Sequence, residues 1–129
     1  MGSKDAAAAL AVSDMDRARD FYENTLGLKR MEGAPDDSGA VVYRSGNSVV
    51  LVYQSAYAGT NKATAATWAV GADFDAIVEG LRGKAVAFEH YDDLPGTARD
   101  GDVHTMGGLR GVWVKDPDGN ILSIIDQEM

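Results

Sequence analysis

His90 and His104 are the side chains of this chain best suited to moving a proton, because imidazole titrates near neutrality. His104 lies in Asp102-Val103-His104-Thr105-Met106-Gly107-Gly108, a glycine-rich setting where backbone can approach a ligand closely. It is the better candidate for a general base, and Met106 accompanies it in any site built there. Neither histidine has a carboxylate at a spacing that defines a pair, and a lone histidine is more often a core or surface residue. No nucleophile–base arrangement is legible, and Gly107-Gly108 is too short for a phosphate loop. The catalytic set is therefore empty apart from His104 as a candidate. Recognition of flat molecules is the other chemistry on offer, through Trp68, Trp113 and Tyr53.

Composition bounds what these residues can belong to. A chain of 129 residues buries one core, and a twofold internal repeat fits within it. Hydrophobic residues at 45% and charged residues at 25% are ordinary for a soluble globular protein. Cysteine is absent, which excludes disulfides and thiolate metal sites. The net charge of −8 argues against nucleic acid and against an anionic membrane surface as partners. It would suit a cationic ligand, although solubility alone accounts for an acidic surface. No apolar run approaches the roughly 20 residues of a membrane span, and Ala6–Ala9 is too short for a signal peptide. A cytoplasmic protein with a small-molecule partner is the expectation.

The elements that must position the candidates read in chain order. Ala6 to Val12 is a short strand, and Ser13 stands as a helix N-cap with Asp14 and Asp16 in the first turn. Ala18, Phe21, Tyr22 and Leu26 sit at helical spacing, and Gly27 is a stop. Leu28 to Met31 is a strand and Pro35 to Gly39 a loop. The strands Val41–Arg44 and Ser48–Gln54 follow, joined through Ser45-Gly46-Asn47. Ala58 to Ala65 is small and polar and connects two halves. Thr67 to Val70 is then a strand, Asp73 an N-cap, and Phe74, Ile77, Val78 and Leu81 recur at i, i+3, i+4 and i+7 until Gly83. Val86 to Tyr91 is a strand, and Asp92 to Gly108 a long glycine-rich stretch. A last hairpin runs from Gly111 to Asp126, with Asp116-Pro117-Asp118-Gly119-Asn120 as its turn.

The two halves superimpose as patterns. Ala11-Val12 followed by Asp14-Met15-Asp16 matches Ala69-Val70 followed by Asp73-Phe74-Asp75 with a one-residue slip. Each half then runs through an amphipathic helix and a strand to a Gly-Asn hairpin, as expected of a duplicated βαβββ module. On Ala11-Val12-Ser13-Asp14-Met15-Asp16, Phe21-Tyr22, Leu26-Gly27-Leu28 and Lys115-Asp116-Pro117-Asp118-Gly119-Asn120-Ile121, the chain resembles the vicinal oxygen chelate superfamily. That group holds glyoxalase I, extradiol dioxygenases and the fosfomycin and bleomycin resistance proteins. The resemblance implies an α+β fold in which two βαβββ modules form a curved mixed sheet that encloses a cavity, with the helices outside. It implies one domain over residues 1–129, with module 1 at about 5–57, a connection at 58–65 and module 2 at about 66–127. It also implies a homodimer.

The resemblance places the metal ligands of the group's enzymes near Ala7, Leu51, Ala66 and Ser123. None of these offers the carboxylate or imidazole that a divalent ion requires, and no His, Glu or Gln lies within one residue of them. No metal and no cofactor are therefore expected. Strand parity puts Ile121 and Ile125 on the face of Ser123, and Leu122 and Ile124 on the other. It likewise groups Ala7, Ala9 and Ala11; Val49, Leu51 and Tyr53; and Ala66, Trp68 and Val70. Trp113 faces the cavity if Val112 and Val114 face a helix. The expected ligand site is thus Leu51, Tyr53, Trp68, His104, Met106, Trp113 and Ser123.

Two functions fit these residues. One is a metal-free protein that binds an apolar, aromatic or antibiotic-like molecule, cationic ones included, similar to the bleomycin resistance branch. The other is an enzyme of the same group, of lyase, isomerase or dioxygenase type, acting on a small metabolite with His104 or a tyrosine as acid–base.

Overall fold

Along β1 (Ala8–Val12), Leu10 and Val12 are buried while Ala9 is exposed and Ala11 half-buried, the period-two alternation of a sheet with one covered face. The computed structural model describes residues 1–32 and 39–128 of the chain. The chain forms two compact units, one of residues 1–65 with 117–120, the other of residues 66–116 with 121–129.

In the first unit β1 leads into α1 (Met15–Arg19), then β2 (Lys29–Arg30), β3 (Ala40–Ser45) and β4 (Ser48–Gln54). The sheet order is β1-β4-β3-β2, with β1 parallel to β4 and the other pairs antiparallel. Leu10, Val12, Val41, Tyr43, Val50 and Val52 form the buried face, and Met15, Ala18 and Tyr22 are buried from the helical side. The register sets Ala9, Leu51 and Val42 in one row and Ala11, Tyr53 and Ala40 in the next. This second face is open, and Tyr53 is exposed. The parity read for Leu51 and Tyr53 therefore holds in the sheet.

Two local details differ from the sequence reading. The N-cap of α1 is Asp14, whose carboxylate accepts from the Arg17 N–H at 3.1 Å, and not Ser13. Ser13 is held by Asp118 instead: its N–H donates to Oδ2 at 3.0 Å and its hydroxyl donates to Oδ1. Beyond α1 the chain continues as a π-helical turn over Asp20–Thr25, closed by the Leu26 N–H to the Phe21 carbonyl at 2.9 Å. The wider turn carries the buried Tyr22 ring to within 6.2 Å of Tyr43. The loop read over Pro35 to Gly39 lies, up to Ser38, outside the described residues.

The turn of the last hairpin is built into this first unit. Asn120 donates from Nδ2 to the Ala11 carbonyl at 2.7 Å, and Arg17 stands 3.6 Å from the Asp118 carboxylate. Gly59, at φ +75°, lies so close to the Asp118 carbonyl oxygen that a Cβ there would collide with it.

The second unit repeats the layout with additions. β5 (Thr64–Ala69) precedes a 3₁₀ turn at Gly71–Asp73 and α2 (Phe74–Gly83). Then come β6 (Phe88–Glu89), β7 (Thr97–Asp100), β8 (Val103–Met106), β9 (Leu109–Lys115) and β10 (Ile121–Ile125). The order is β5-β10-β9-β8-β7, and β6 also pairs with β9. In both sheets the strand that enters the helix lies beside the unit's last strand, β1 beside β4 and β5 beside β10. The fold is α+β, two strand–helix–strands units each with its own mixed or antiparallel sheet.

Phe74, Val78 and Leu81 are buried on α2, as their spacing predicts. Arg110 fastens the helix to the sheet, its guanidinium 4.8 Å from the Phe74 ring centroid and paired with Asp75 at 3.0 Å and Asp126 at 3.1 Å. Asp73 makes no side-chain cap. The entry is set by backbone bonds from Val70 to Ile125 and from Gly71 to Gln127. The strand expected over Val86 to Tyr91 is only Phe88–Glu89, and the long glycine-rich stretch from Asp92 to Gly108 contains the β7–β8 hairpin. Among the described residues no helix is long and apolar enough to cross a membrane.

Candidate functional site

Three antiparallel strands of the second unit gather most of the candidates on one face. β9 and β10 pair Trp113 with Ser123 and Gly111 with Ile125. β8 pairs His104 with Gly111, and β6 pairs Glu89 with Trp113. Directly opposed residues share a face, so Ser123, Trp113, Glu89, His104 and, two residues on, Met106 all point the same way. Val112, Val114, Leu122 and Ile124 occupy the reverse face and are buried. The parity expected for Trp113 and Ser123 is thus the parity found.

Their burial is deeper than an open ligand wall implies. Trp113 is 9% exposed, Ser123 5% and His104 0%, and Ile121 beside them is buried as well. Gly111 stands directly opposite His104, and the Met106 methyl lies 3.8 Å from where a Gly111 Cβ would stand. Trp68, on β5, is half-buried, while Leu51 and Tyr53 belong to the open face of the first unit.

His104 sits on a strand, not in a loop, because the β7–β8 hairpin takes up its segment. Its Nε2 accepts the Tyr91 backbone N–H at 3.0 Å. The Trp113 ring stands edge-on to both rings, with centroids 4.8 Å from His104 and 5.3 Å from Tyr91. Such edge contacts suit the opposite charge of ring edges and faces. His104 Nδ1 and the Tyr91 hydroxyl are both buried without a hydrogen-bond partner among the described residues. Leaving a buried polar group unpaired costs about 1–3 kcal/mol. Tyr91 was not among the expected site residues; it lies two residues after Glu89, just beyond the end of β6.

His90 stands apart from this cluster. It is exposed and pairs through Nε2 with Asp102 at 2.8 Å, beside Arg82 at 3.1 Å from the same carboxylate. These partners hold the Asp102 pKa below its usual range, chiefly through the His90 hydrogen bond. This is a surface network that ties α2 to the β7–β8 turn. Glu89 pairs with Lys115 at 3.0 Å.

Burial pushes the His104 pKa below its ordinary value, Arg99 and His90 lower it further, and the Asp102 backbone and Asp92 offset part of this. The unfolded chain, with a histidine pKa near 6.5, takes up the proton first as pH falls. The His104 contribution to stability is fully present above about pH 6.5 and is lost as pH falls from there through the lower folded value. The expected result is a thermal midpoint that declines between pH 7.5 and 5. The decline should be shallower in His104→Gln, which keeps an acceptor for the Tyr91 N–H but does not titrate. Equal slopes for the two proteins would remove His104 from the account.

Residues 6–124 match the family described as Glyoxalase/Bleomycin resistance protein/Dioxygenase superfamily. Among solved structures the chain is similar to lactoylglutathione lyase from Agrobacterium tumefaciens, at 20% identity and a TM-score of 0.67, covering 95% of this chain and 92% of that one. It is similar to the fosfomycin resistance protein FosX from Listeria monocytogenes, at 12% identity and a TM-score of 0.67, covering 100% and 94%. A glyoxalase/bleomycin resistance protein/dioxygenase from Alicyclobacillus acidocaldarius gives 18% identity, a TM-score of 0.68 and coverage of 95% and 90%. No curated protein matches the chain. At these identities the likenesses speak for the fold, and the differing activities in their names select no reaction.

Proposed function

The chain belongs to the Glyoxalase/Bleomycin resistance protein/Dioxygenase superfamily, and from that premise we propose that it is a metal-independent binding protein for a small apolar or aromatic molecule. The donor set carries this reading. Alanine, leucine, alanine and serine stand at 7, 51, 66 and 123, where the family resemblance would put ion ligands. Three of them have no donor atom, and a single neutral hydroxyl does not replace a carboxylate. Among the described residues no three of His, Asp and Glu are grouped so as to hold an ion.

The state of His104 argues for binding over acid–base catalysis. A base needs an available lone pair within reach of substrate, and the one at Nε2 is engaged by the Tyr91 N–H inside a fully buried ring. Trp113 and Trp68 supply flat area for recognition on the second unit, and Leu51 and Tyr53, taken by themselves, make an apolar face on the first. The proposal takes residues 1–129 as one functional domain and includes a homodimer.

The test joins three measurements on the purified chain. Elemental analysis is expected to find metal well below one equivalent. Methylglyoxal hemithioacetal is expected not to turn over, with or without added divalent ions. Tryptophan fluorescence is expected to report binding of naphthalene-type probes unchanged by EDTA, and the thermal midpoint to rise with probe concentration by mass action. Stoichiometric metal together with turnover overturns the reading. Light scattering that returns the 13.7 kDa of one chain overturns the dimer.

A further inference from the structure

The two unpaired polar atoms of the second unit belong to residues that touch. A backbone N–H can only donate, so the bond from Tyr91 to His104 Nε2 at 3.0 Å makes that nitrogen an acceptor. An imidazolium has no acceptor nitrogen. His104 is therefore neutral, with its proton on Nδ1, and Nδ1–H, although the Asp102 backbone acts on the ring, makes no hydrogen bond of full geometry among the described residues. The Tyr91 hydroxyl is in the same position, and the Trp113 ring stands edge-on to both side chains. Native interiors rarely leave such groups unmatched, and two of them in one three-ring cluster ask for an acceptor that the chain does not supply.

From this juxtaposition we propose that Tyr91 and His104 form a two-donor recognition site, closed in the free protein, for the carbonyl-type oxygen of an uncharged aromatic ligand that lies against Trp113. The inference rests on the small-molecule reading above and names the ligand class. Both donor atoms are shielded from solvent, so the ligand enters by turning a ring aside. Tyr91 is the ring placed to turn. It follows the two-residue strand β6 and precedes the turn that starts at Asp92, and its backbone is pinned to His104 while χ1 carries the phenol. Opening exchanges two unmade hydrogen bonds for made ones, which offsets the loss of the ring contacts.

The surroundings select the charge of the ligand. An ammonium group has only donors and cannot accept from Nδ1–H. A carboxylate would approach Glu89, two residues before Tyr91, in a chain of net charge −8. Burial, followed by the Glu89 charge, raises the Tyr91 pKa, so the phenol keeps its proton and remains a donor. A carbonyl or amide oxygen is the acceptor that meets neither objection.

Matched probes test this on the whole protein: 2-acetylnaphthalene, 2-ethylnaphthalene, which lacks the oxygen, and 2-naphthoate. Titration by calorimetry is expected to show the acetyl compound bound about tenfold tighter than the ethyl compound, and tighter than the naphthoate. In Tyr91→Phe, which removes only the hydroxyl, the acetyl–ethyl gap should shrink while the thermal midpoint stays level or rises, since an unpaired buried group has gone. Imidazole ¹⁵N spectra are expected to show the Nδ1–H tautomer of His104 in the free protein and a shift of Nδ1 with the acetyl probe alone. Equal affinities for acetyl and ethyl compounds, or a gap that Tyr91→Phe leaves intact, overturn the inference and leave the small-molecule reading standing. Preferential binding of the naphthoate overturns the uncharged class. Failure of all three probes to bind removes the aromatic-ligand reading itself, and this inference with it.

Discussion

Replacing Trp113 by alanine is expected to destabilise the protein by about 3–5 kcal/mol, the range for deleting a large buried aromatic. A ligand-face residue on an open wall would lose affinity and little else. Trp113 is instead 9% exposed, contacts Tyr91 and His104 edge-on, and lies between Val112 and Val114, both fully buried. Its removal opens a cavity beside two rings that already hold unmatched polar atoms. Trp68→Ala, at a half-buried position, is expected to cost clearly less and to act mainly on binding. Denaturant titration reads the first effect as a lower midpoint at unchanged slope, and probe titration well below that midpoint reads the second. A Trp113→Ala protein as stable as the parent would mean that this face is far more open than its burial implies.

Gly59→Ala is expected to cost on the order of 2–4 kcal/mol, large for the addition of one methyl group. Two terms add. A residue with a Cβ at φ +75° carries a left-handed backbone penalty of about 1–2 kcal/mol. The new Cβ would also run into the Asp118 carbonyl oxygen, a backbone atom that cannot swing aside. Asp118 in turn holds the N–H and hydroxyl of Ser13, and Asn120 holds the Ala11 carbonyl, so displacing the turn loosens the end of β1 and the start of α1 together. Gly46→Ala is the control. It has a similar φ of +56° but open space around it, so it should show the backbone penalty alone. Equal losses for the two variants, measured by thermal and denaturant unfolding, would show that the Asp118 contact carries no weight.

The repeat was legible because each of its parts is encoded locally. Short runs of strand-forming residues along Ser48–Gln54 and Ile121–Ile125 gave strands, and the i, i+3, i+4, i+7 spacing from Phe74 to Leu81 gave a helix. The Gly-Asn and Asp-Pro-Asp-Gly-Asn turns fixed the hairpins. Parity then put Trp113 and Ser123 on one face, and the register pairs them. The β7–β8 hairpin stayed hidden because Thr97 to Met106 is mostly polar and has no apolar period to read. With it went the strand setting of His104.

Residue types and short-range spacing by themselves determined the α+β repeat and the covered face of its first sheet. Each of these depends only on a few neighbours in the chain. Tertiary structure alone decided that Asp14 and not Ser13 caps the first helix, that the last turn grips Ser13 and Ala11, and that His104 meets Tyr91 and Trp113 in a closed cluster with two donors unmatched. Apart from the local Asp14 cap, those contacts join residues 9 to 109 positions apart, and a sequence pattern carries no distance between positions so far removed.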